Sequence, residues 1–424
     1  MNELEFLKQQ YGISDKVLKL YKDTENEIKE NLNYIDEVAA YNSLKVLKAF
    51  QNHRVSETFF GATTGYGYDD IGRDTLDDVY AEVFGGEKGL VRHSIANGTH
   101  AISLCLYGVL RPGDTLVAVT GKPYDTLEEV IGIRGEEGNG SLKDFGINYK
   151  QVDLIDSGKV DYEGIKKTVE KNTKAVIVQR SKGYDFRESM TIDEIEKIVK
   201  CVKKISENII VIVDNCYGEF VEKREPTDVG ADLIVGSLIK NPGGGIARSG
   251  GYIVGTKKCV ELVSFRQTCP GIGNECGATL GENRFMYQGL FMAPHIVSEA
   301  VKSAALCGAI FENAGFDTLP KKGQERTDII QAIRLGSEEK MVSFCQGIQK
   351  GSPIDSFVVP MPSDMPGYEN KVIMAAGAFT QGSSIEISAD GPIRKPYNIY
   401  YQGGLTYDSA KVSILLAANN IIKE

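Results

Sequence analysis

Histidine is scarce and cysteine sparse: the 424 residues hold four of the first and eight of the second. No H-E-x-x-H is present, so neither a structural nor a catalytic metal site is expected. No C-x-x-C pair occurs, and eight thiols over this length are too few for a disulfide scaffold. Several sit inside apolar stretches, as small hydrophobes do in a reducing compartment. Positive charge is also short. Lysine and arginine number 48 against 58 acidic residues, a net charge of −10. That balance gives no electrostatic reason to hold a phosphodiester backbone, so nucleic acid is not an expected partner. No apolar run approaches the roughly 18 residues needed to span a bilayer, which argues against a membrane partner. The first residues, MNELEFLKQQYG, are polar and lack an apolar signal core, so a cytoplasmic protein is expected. Repeats and low-complexity segments are absent too.

What is present is a globular composition. Apolar residues make up 42% and charged residues 25%, which excludes wholesale disorder and collagen. The length leaves room for two domains, or one large and one small. Residues 1–50 read as a charged helical arm, with no Gly or Pro between Ser14 and Gln51, that must pack on something else. From about residue 88, short apolar runs alternate with amphipathic stretches. Leu90–Val91, Leu116–Val119, Ala175–Val178, Ile209–Val213, Leu233–Val235 and Tyr252–Val254 read as buried strands. Helical segments fall at about 98–110, 124–132, 161–171 and 191–206, the last opened by a capping box of Thr191 and Glu194. This order implies βαβ units and a parallel sheet, with ligands at the carboxyl ends of the strands. Residues 240–290 read as a glycine-rich, ligand-lining excursion. A helix follows over 296–311. Strands are then expected at 341–345, 356–359, 373–376 and 384–387, and a closing helix at 407–423. The expected division is an arm (1–60), a large domain (61–295) and a small α+β domain (296–424).

Four pieces could carry chemistry. Asp214 ends the buried run IIVIVD. It could hold a magnesium ion, pair with a cationic ring or cap a turn. No G-x-x-x-x-G-K-[ST] loop supports the first reading. Lys240 lies just beyond the next strand, where it is either a solvated surface charge, the commoner case for a lone lysine, or a desolvated amine of lowered pKa suited to Schiff-base chemistry; Ser237 nearby offers a hydroxyl to a phosphate. Asn97, Gly98 and Thr99 open a helix with small polar residues, a setting that suits a phosphate or an ordinary cap. Tyr124 follows the Leu116–Val119 strand, where a ring could stack on a flat ligand or simply pack. A phosphate cradle, a stacking aromatic, an aspartate and a lysine, in that order, match the needs of pyridoxal phosphate (PLP).

The chain resembles fold-type-I PLP enzymes of the cysteine/methionine metabolism group, such as cystathionine lyases and methionine γ-lyase. It resembles most a bacterial branch of aluminium-resistance, cystathionine β-lyase-like proteins. The resemblance rests on TTGYGYDDIGRDTL (63–76), HSIANGTHAI (93–102), QRSKGY (179–184), VDNCYGEF (213–220), SLIKNPGGGIARSGGY (237–252) and QGSSIEISADGPIRKPY (381–397). It implies an α/β fold: a three-layer large domain around a mostly parallel sheet, a smaller α+β domain and an N-terminal helical arm. It makes Lys240 the Schiff-base lysine and Cα-proton base, Asp214 the partner of the ring nitrogen, and Tyr124 the stacking ring and an acid or base at the leaving sulfur. Asn97, Gly98, Thr99 and Ser237 become the phosphate grip. Tyr66 and Arg73, at shifted spacing, stand where the lyases offer a phosphate-binding Tyr-x-Arg to a neighbouring subunit. Ile239 stands where the lyases carry Ser or Thr, and Gln179-Arg180 where they carry Asn.

A substrate carboxylate calls for a bidentate arginine; Arg394 is the first choice, with Arg180 and Arg266 as rivals. The expected function is carbon–sulfur β- or γ-elimination on a small amino acid, in a homodimer or homotetramer. The alternatives are an aminotransferase or other PLP chemistry, and a PLP-binding regulatory protein with little catalysis.

Overall fold

The computed structural model describes residues 1–156, 158–365 and 368–422. In chain order the first elements are helices α1 (Glu3–Tyr11), α2 (Asp15–Glu27), α3 (Lys29–Asn52) and α4 (Ile71–Val83). Then come β1 (Lys88–Arg92), α5 (Gly98–Val109), β2 (Thr115–Ala118), α6 (Asp125–Ile131), β3 (Asn148–Gln151), α7 (Tyr162–Thr168) and β4 (Thr173–Gln179). The middle of the chain holds α8 (Ile192–Ile205), β5 (Ile210–Asp214), β6 (Leu233–Ser237), β7 (Gly251–Gly255), α9 (Lys257–Gln267) and α10 (Asn283–Asn313). The last elements are β8 (Asp317–Leu319), β9 (Ile330–Arg334), α11 (Glu338–Gly351), β10 (Val372–Ala376), β11 (Ser388–Pro392), β12 (Asn398–Gln402) and α12 (Tyr407–Ile421). Among the described residues, no helix is long and apolar enough to cross a membrane.

Two compact units result. Residues 42–183 and 189–292 form one; residues 1–41, 184–188 and 293–424 form the other. This division differs from the expected arm, large domain and small domain. The reason is local packing of the arm. Leu7, Ile13, Val17 and Tyr21 lie in one buried cluster with Ile310, Phe344, Ile414 and Leu415. The apolar stripe of α1 and α2 is therefore core for the C-terminal unit.

The 42–292 unit is built on a seven-stranded sheet in the order β1-β7-β6-β5-β4-β2-β3. Strands β2 to β6 run parallel, and β7 is antiparallel to both β1 and β6. Each central strand is an apolar run because helices cover both faces of such a sheet. Helix α8 shows how: Ile192, Ile195, Ile198, Val199 and Val202 fall on one buried stripe. Each contributes about 1.5–3 kcal/mol of burial. The Thr191–Glu194 capping box starts that helix as expected.

The other unit carries a five-stranded antiparallel sheet in the order β10-β11-β12-β9-β8. Its strands were only partly foreseen. Residues 341–345, expected as a strand, lie inside α11. Met341, Phe344, Cys345 and Ile348 are its large buried apolar residues, spaced i, i+3, i+4, i+7, which is the helical period. Residues 356–359 form no strand, with Phe357 83% exposed in a turn. Residues 384–387 precede β11 rather than form it, whereas 373–376 do fall in β10. The closing helix ends at Ile421, and position 423 lies outside the described residues. The 240–290 stretch is more regular than expected, since it contains β7 and α9.

Candidate active site

Strands β2, β4, β5 and β6 point the same way, so their carboxyl ends share one edge of the sheet. Crossover connections leave an open crevice at such an edge. Gln179 ends β4, Asp214 ends β5, Lys240 follows β6 and Tyr124 lies beyond β2. These four line one cavity together with Ser181, Gly183, Cys216 and Tyr217.

Asp214 and Lys240 are partly buried at this cavity. Burial pushes the Asp214 carboxyl above its usual range, while the Lys240 charge and the Cys216 amide, 3.1 Å from Oδ1, pull it down. Burial also pulls the Lys240 amine down, as expected. Cys216, Tyr217 and Asp214 oppose that pull and hold the amine above its ordinary value. The expected lowering is thus overturned, because these anionic or ionisable neighbours outweigh desolvation. The Lys240 Nζ lies 4.0 Å from the centre of the Tyr217 ring, a cation–π contact. Tyr217 itself sits at φ +75°, a left-handed conformation rare for a non-glycine residue. Strain of this kind costs about 1–3 kcal/mol and gathers at functional sites.

The opening of α5 forms the second part of the site. Asn97 caps the helix by accepting a hydrogen bond from the His100 amide at 2.8 Å. The Gly98 and Thr99 amides begin the helix and have no acceptor within it. A Cβ on Gly98 would stand 3.1 Å from Cys216 Sγ and 3.8 Å from Ser237 Cβ. The helix start therefore meets the floor beside Cys216 and Ser237 closely, and a side chain there would press on the Cys216 sulfur. Thr99 Oγ1 lies 2.7 Å from Thr126 Oγ1, which ties α5 to α6, the helix that Tyr124 precedes. Amide donors, a positive helix end, a half-buried ring, a carboxylate and an amine gathered around one space fit PLP.

Other expected site residues are placed differently. Arg180 is fully buried. Its guanidinium donates to Asn215 Oδ1 and to Glu222 Oε2, each at 2.7 Å. It is therefore an internal ion-pair residue and not a free clamp for a substrate. Arg73 is 1% exposed and donates to the carbonyls of Gly67 and Gly277 at 2.5 and 3.0 Å and to Asp74 at 2.9 Å. Its donors are spent tying the 67 loop to the 275–277 segment. Tyr66 is 72% exposed and stacks on Tyr68 at 5.5 Å. Arg394 is exposed between β11 and β12 in the other unit. Arg266 is exposed, 5.3 Å from the Tyr107 ring.

Sequence reasoning missed Cys216 and Tyr217. The signal was there in their position two and three residues after a strand-ending aspartate. It had no chemistry of its own until the left-handed turn at Tyr217 put the ring under Lys240.

Close packing beneath the site gives a stability prediction. A Cβ on Gly236 would stand 2.5 Å from Glu219 Oε1 and 2.6 Å from Tyr252 Cε1. Gly236→Ala is expected to cost about 1–3 kcal/mol as an overpacked core does. A urea midpoint that falls with an unchanged slope would show it.

A family model, Methionine gamma-lyase, matches residues 17–422. The chain is similar to protein YnbB of Bacillus subtilis (strain 168), 54% identical over 410 residues, 96% of this chain and 97% of that one. It is similar to L-methionine gamma-lyase of Treponema denticola, 29% identical over 217 residues, 51% of this chain and 49% of that one. Among solved structures it is similar to the carbon-sulfur lyase involved in aluminum resistance from Clostridium novyi NT. There the TM-score is 0.96 and the identity 55%, over 100% of both chains.

Proposed function

The chain belongs to the methionine gamma-lyase family, and from that premise we propose a carbon–sulfur elimination on a small amino acid, driven by Lys240. The family consists of PLP-dependent carbon–sulfur lyases, and PLP is its cofactor. When bound, PLP supplies an aldehyde that joins covalently to amines and a ring that accepts the electrons left by a departing proton. The observation that carries the reading is that Lys240, Asp214 and Tyr124 line one cavity.

Each residue then has a task. Lys240 would hold PLP through its amine, and the same amine is the base placed to take the Cα proton. Asp214 places negative charge where the ring nitrogen is to stay protonated. With that carboxylate so engaged, its pull on Lys240 weakens, which eases the amine towards the neutral form that a base must take. Tyr124 would stack on the ring, and its phenol is a candidate to give or take a proton at the leaving sulfur. The amides of Gly98 and Thr99, with Asn97 and Ser237, receive the phosphate at the helix start. For the substrate carboxylate Arg394 is kept as the proposed clamp. Tyr66, in this proposal, serves the phosphate of a second copy in a homodimer or homotetramer.

The test is product analysis of the purified, PLP-loaded protein with L-cystathionine and L-methionine. Elimination consumes one water and yields one thiol, one 2-oxo acid and one ammonia per substrate. Equal amounts of the three are expected. Amino transfer to an added oxo acid, with no thiol released, would replace this reading with the aminotransferase one.

A further inference from the structure

Asp214 and Lys240 are each followed in sequence by an asparagine, and both asparagines are fully buried. The two amides are held from below by the same short segment. Asn241 Nδ2 donates to the Glu219 carbonyl at 3.0 Å. Asn215 Nδ2 donates to Glu225 Oε2 at 3.0 Å and to Tyr252 Oη at 3.3 Å. Tyr252 Oη, reaching across from β7, donates to Glu219 Oε1 at 2.9 Å. Gly236 leaves the space in which that last bond forms, since a Cβ there would collide with both partners. The same segment fixes the strained turn under Lys240. The Gly218 amide donates to the Asn215 carbonyl at 2.9 Å, and the Phe220 amide donates to Glu225 Oε1 at 3.0 Å.

We propose that Glu219 and Tyr252 are a positioning pair that holds Asn215 and Asn241, and through them sets the separation of Asp214 from Lys240. Neither residue touches the cavity; both act through the asparagines beside the groups that do. Strands β5 and β6 already pair as far as Asp214 with Val235. The Asn215 amide still donates to the Val235 carbonyl at 3.0 Å; beyond it the backbone of β5 leaves the ladder, and buried side-chain bonds add to its alignment. Such bonds rank high in a water-poor interior, because a lost partner leaves a buried polar group unsatisfied.

Burial disfavours a charge on Glu219. Burial pushes its carboxyl up to about 8, with Glu225 adding to the rise and Tyr252 and Lys240 opposing it. The titratable groups that face it are Tyr80 of α4, Cys216 and Glu225 of its own loop, Lys240 beyond β6 and Tyr252 of β7. Its ionisation near the upper end of the neutral range would place a negative charge under the lysine.

The inference rests on Lys240 as the lysine that carries PLP, and borohydride reduction with peptide mapping of the wild type tests that premise separately. The experiment compares PLP-loaded wild type, Glu219→Gln and Tyr252→Phe by visible absorbance across pH 6–10 and by PLP titration. Glu219→Gln keeps the shape without the acid. It is expected to bind PLP as wild type does, and to lose a spectral transition near the value about which Glu219 titrates. Tyr252→Phe is expected to weaken PLP binding about tenfold with unchanged far-ultraviolet circular dichroism, since only a hydroxyl is removed. The proposal is overturned if Glu219→Gln keeps every spectral transition of the wild type. It is equally overturned if a folded Tyr252→Phe binds PLP as tightly as the wild type.

Discussion

Lys240→Ala is expected to cut carbon–sulfur turnover at least about a thousandfold, the scale at which a positioned base is missed. The loss should fall on kcat, since the amine acts on the Cα proton and not on substrate selection. The variant should still fold. Removing the lysine leaves Asp214 without the cation that pulls its carboxyl down, and burial already pushes that carboxyl up. Asp214 therefore takes a proton rather than remain a lone buried charge. A carboxyl with a raised folded-state pKa binds more protons in the folded than in the unfolded chain. Its variant is thus most stable in acid and loses stability as pH rises towards the folded value. Thermal melting at several pH values would show that slope steepening relative to wild type. Unchanged turnover would remove Lys240 from the mechanism.

Asp214→Asn is expected to lower turnover about a hundredfold or more, in line with the loss of one preorganised charge partner. Shape is kept, because an asparagine oxygen can still accept from the Cys216 amide, which lies 3.1 Å from Oδ1. Only the charge is lost. The Lys240 amine, raised in part by Asp214, should then titrate at lower pH than in the wild type. The visible spectrum of the PLP-loaded variant and its pH–rate profile check both statements. Activity within threefold of wild type would show that this carboxylate does not hold the ring nitrogen.

Much of this arrangement was legible in the residues. The apolar run before Asp214 could only be a strand covered on both faces, and β5 is that strand, parallel to β4 and β6. That places any polar residue just beyond such a run at the crevice edge, which is how Lys240 and Tyr124 were found. Edge and antiparallel strands were harder. Strand β3, Asn148–Gln151, is largely exposed and polar, so it carries no apolar signature. The 341–345 run looked like a strand in a five-residue window. Its helical period shows only when Ile348 is included.

The site's supporting residues were hidden for a different reason. Arg180 has the charge of a substrate clamp, and nothing in its neighbours' identities reveals that Asn215 and Glu222 already occupy its guanidinium. Arg73 misled in the same way, its donors spent on the carbonyls of Gly67 and Gly277. Long-range hydrogen bonds between loops depend on how strands are ordered, and that order is not written in any local pattern. The N-terminal arm shows the complementary case. Its stripe announced that it must pack on something, and the partner proved to be the far end of the chain.

The central claim is that Lys240 carries the cofactor. Borohydride reduction of the PLP-loaded protein, digestion and mass spectrometry of the peptides tests it in one step. The account predicts a yellow protein that bleaches on reduction and a pyridoxyl mass on the peptide containing Lys240. A colourless protein that takes up no added PLP, or a pyridoxyl group on any other lysine, would contradict it.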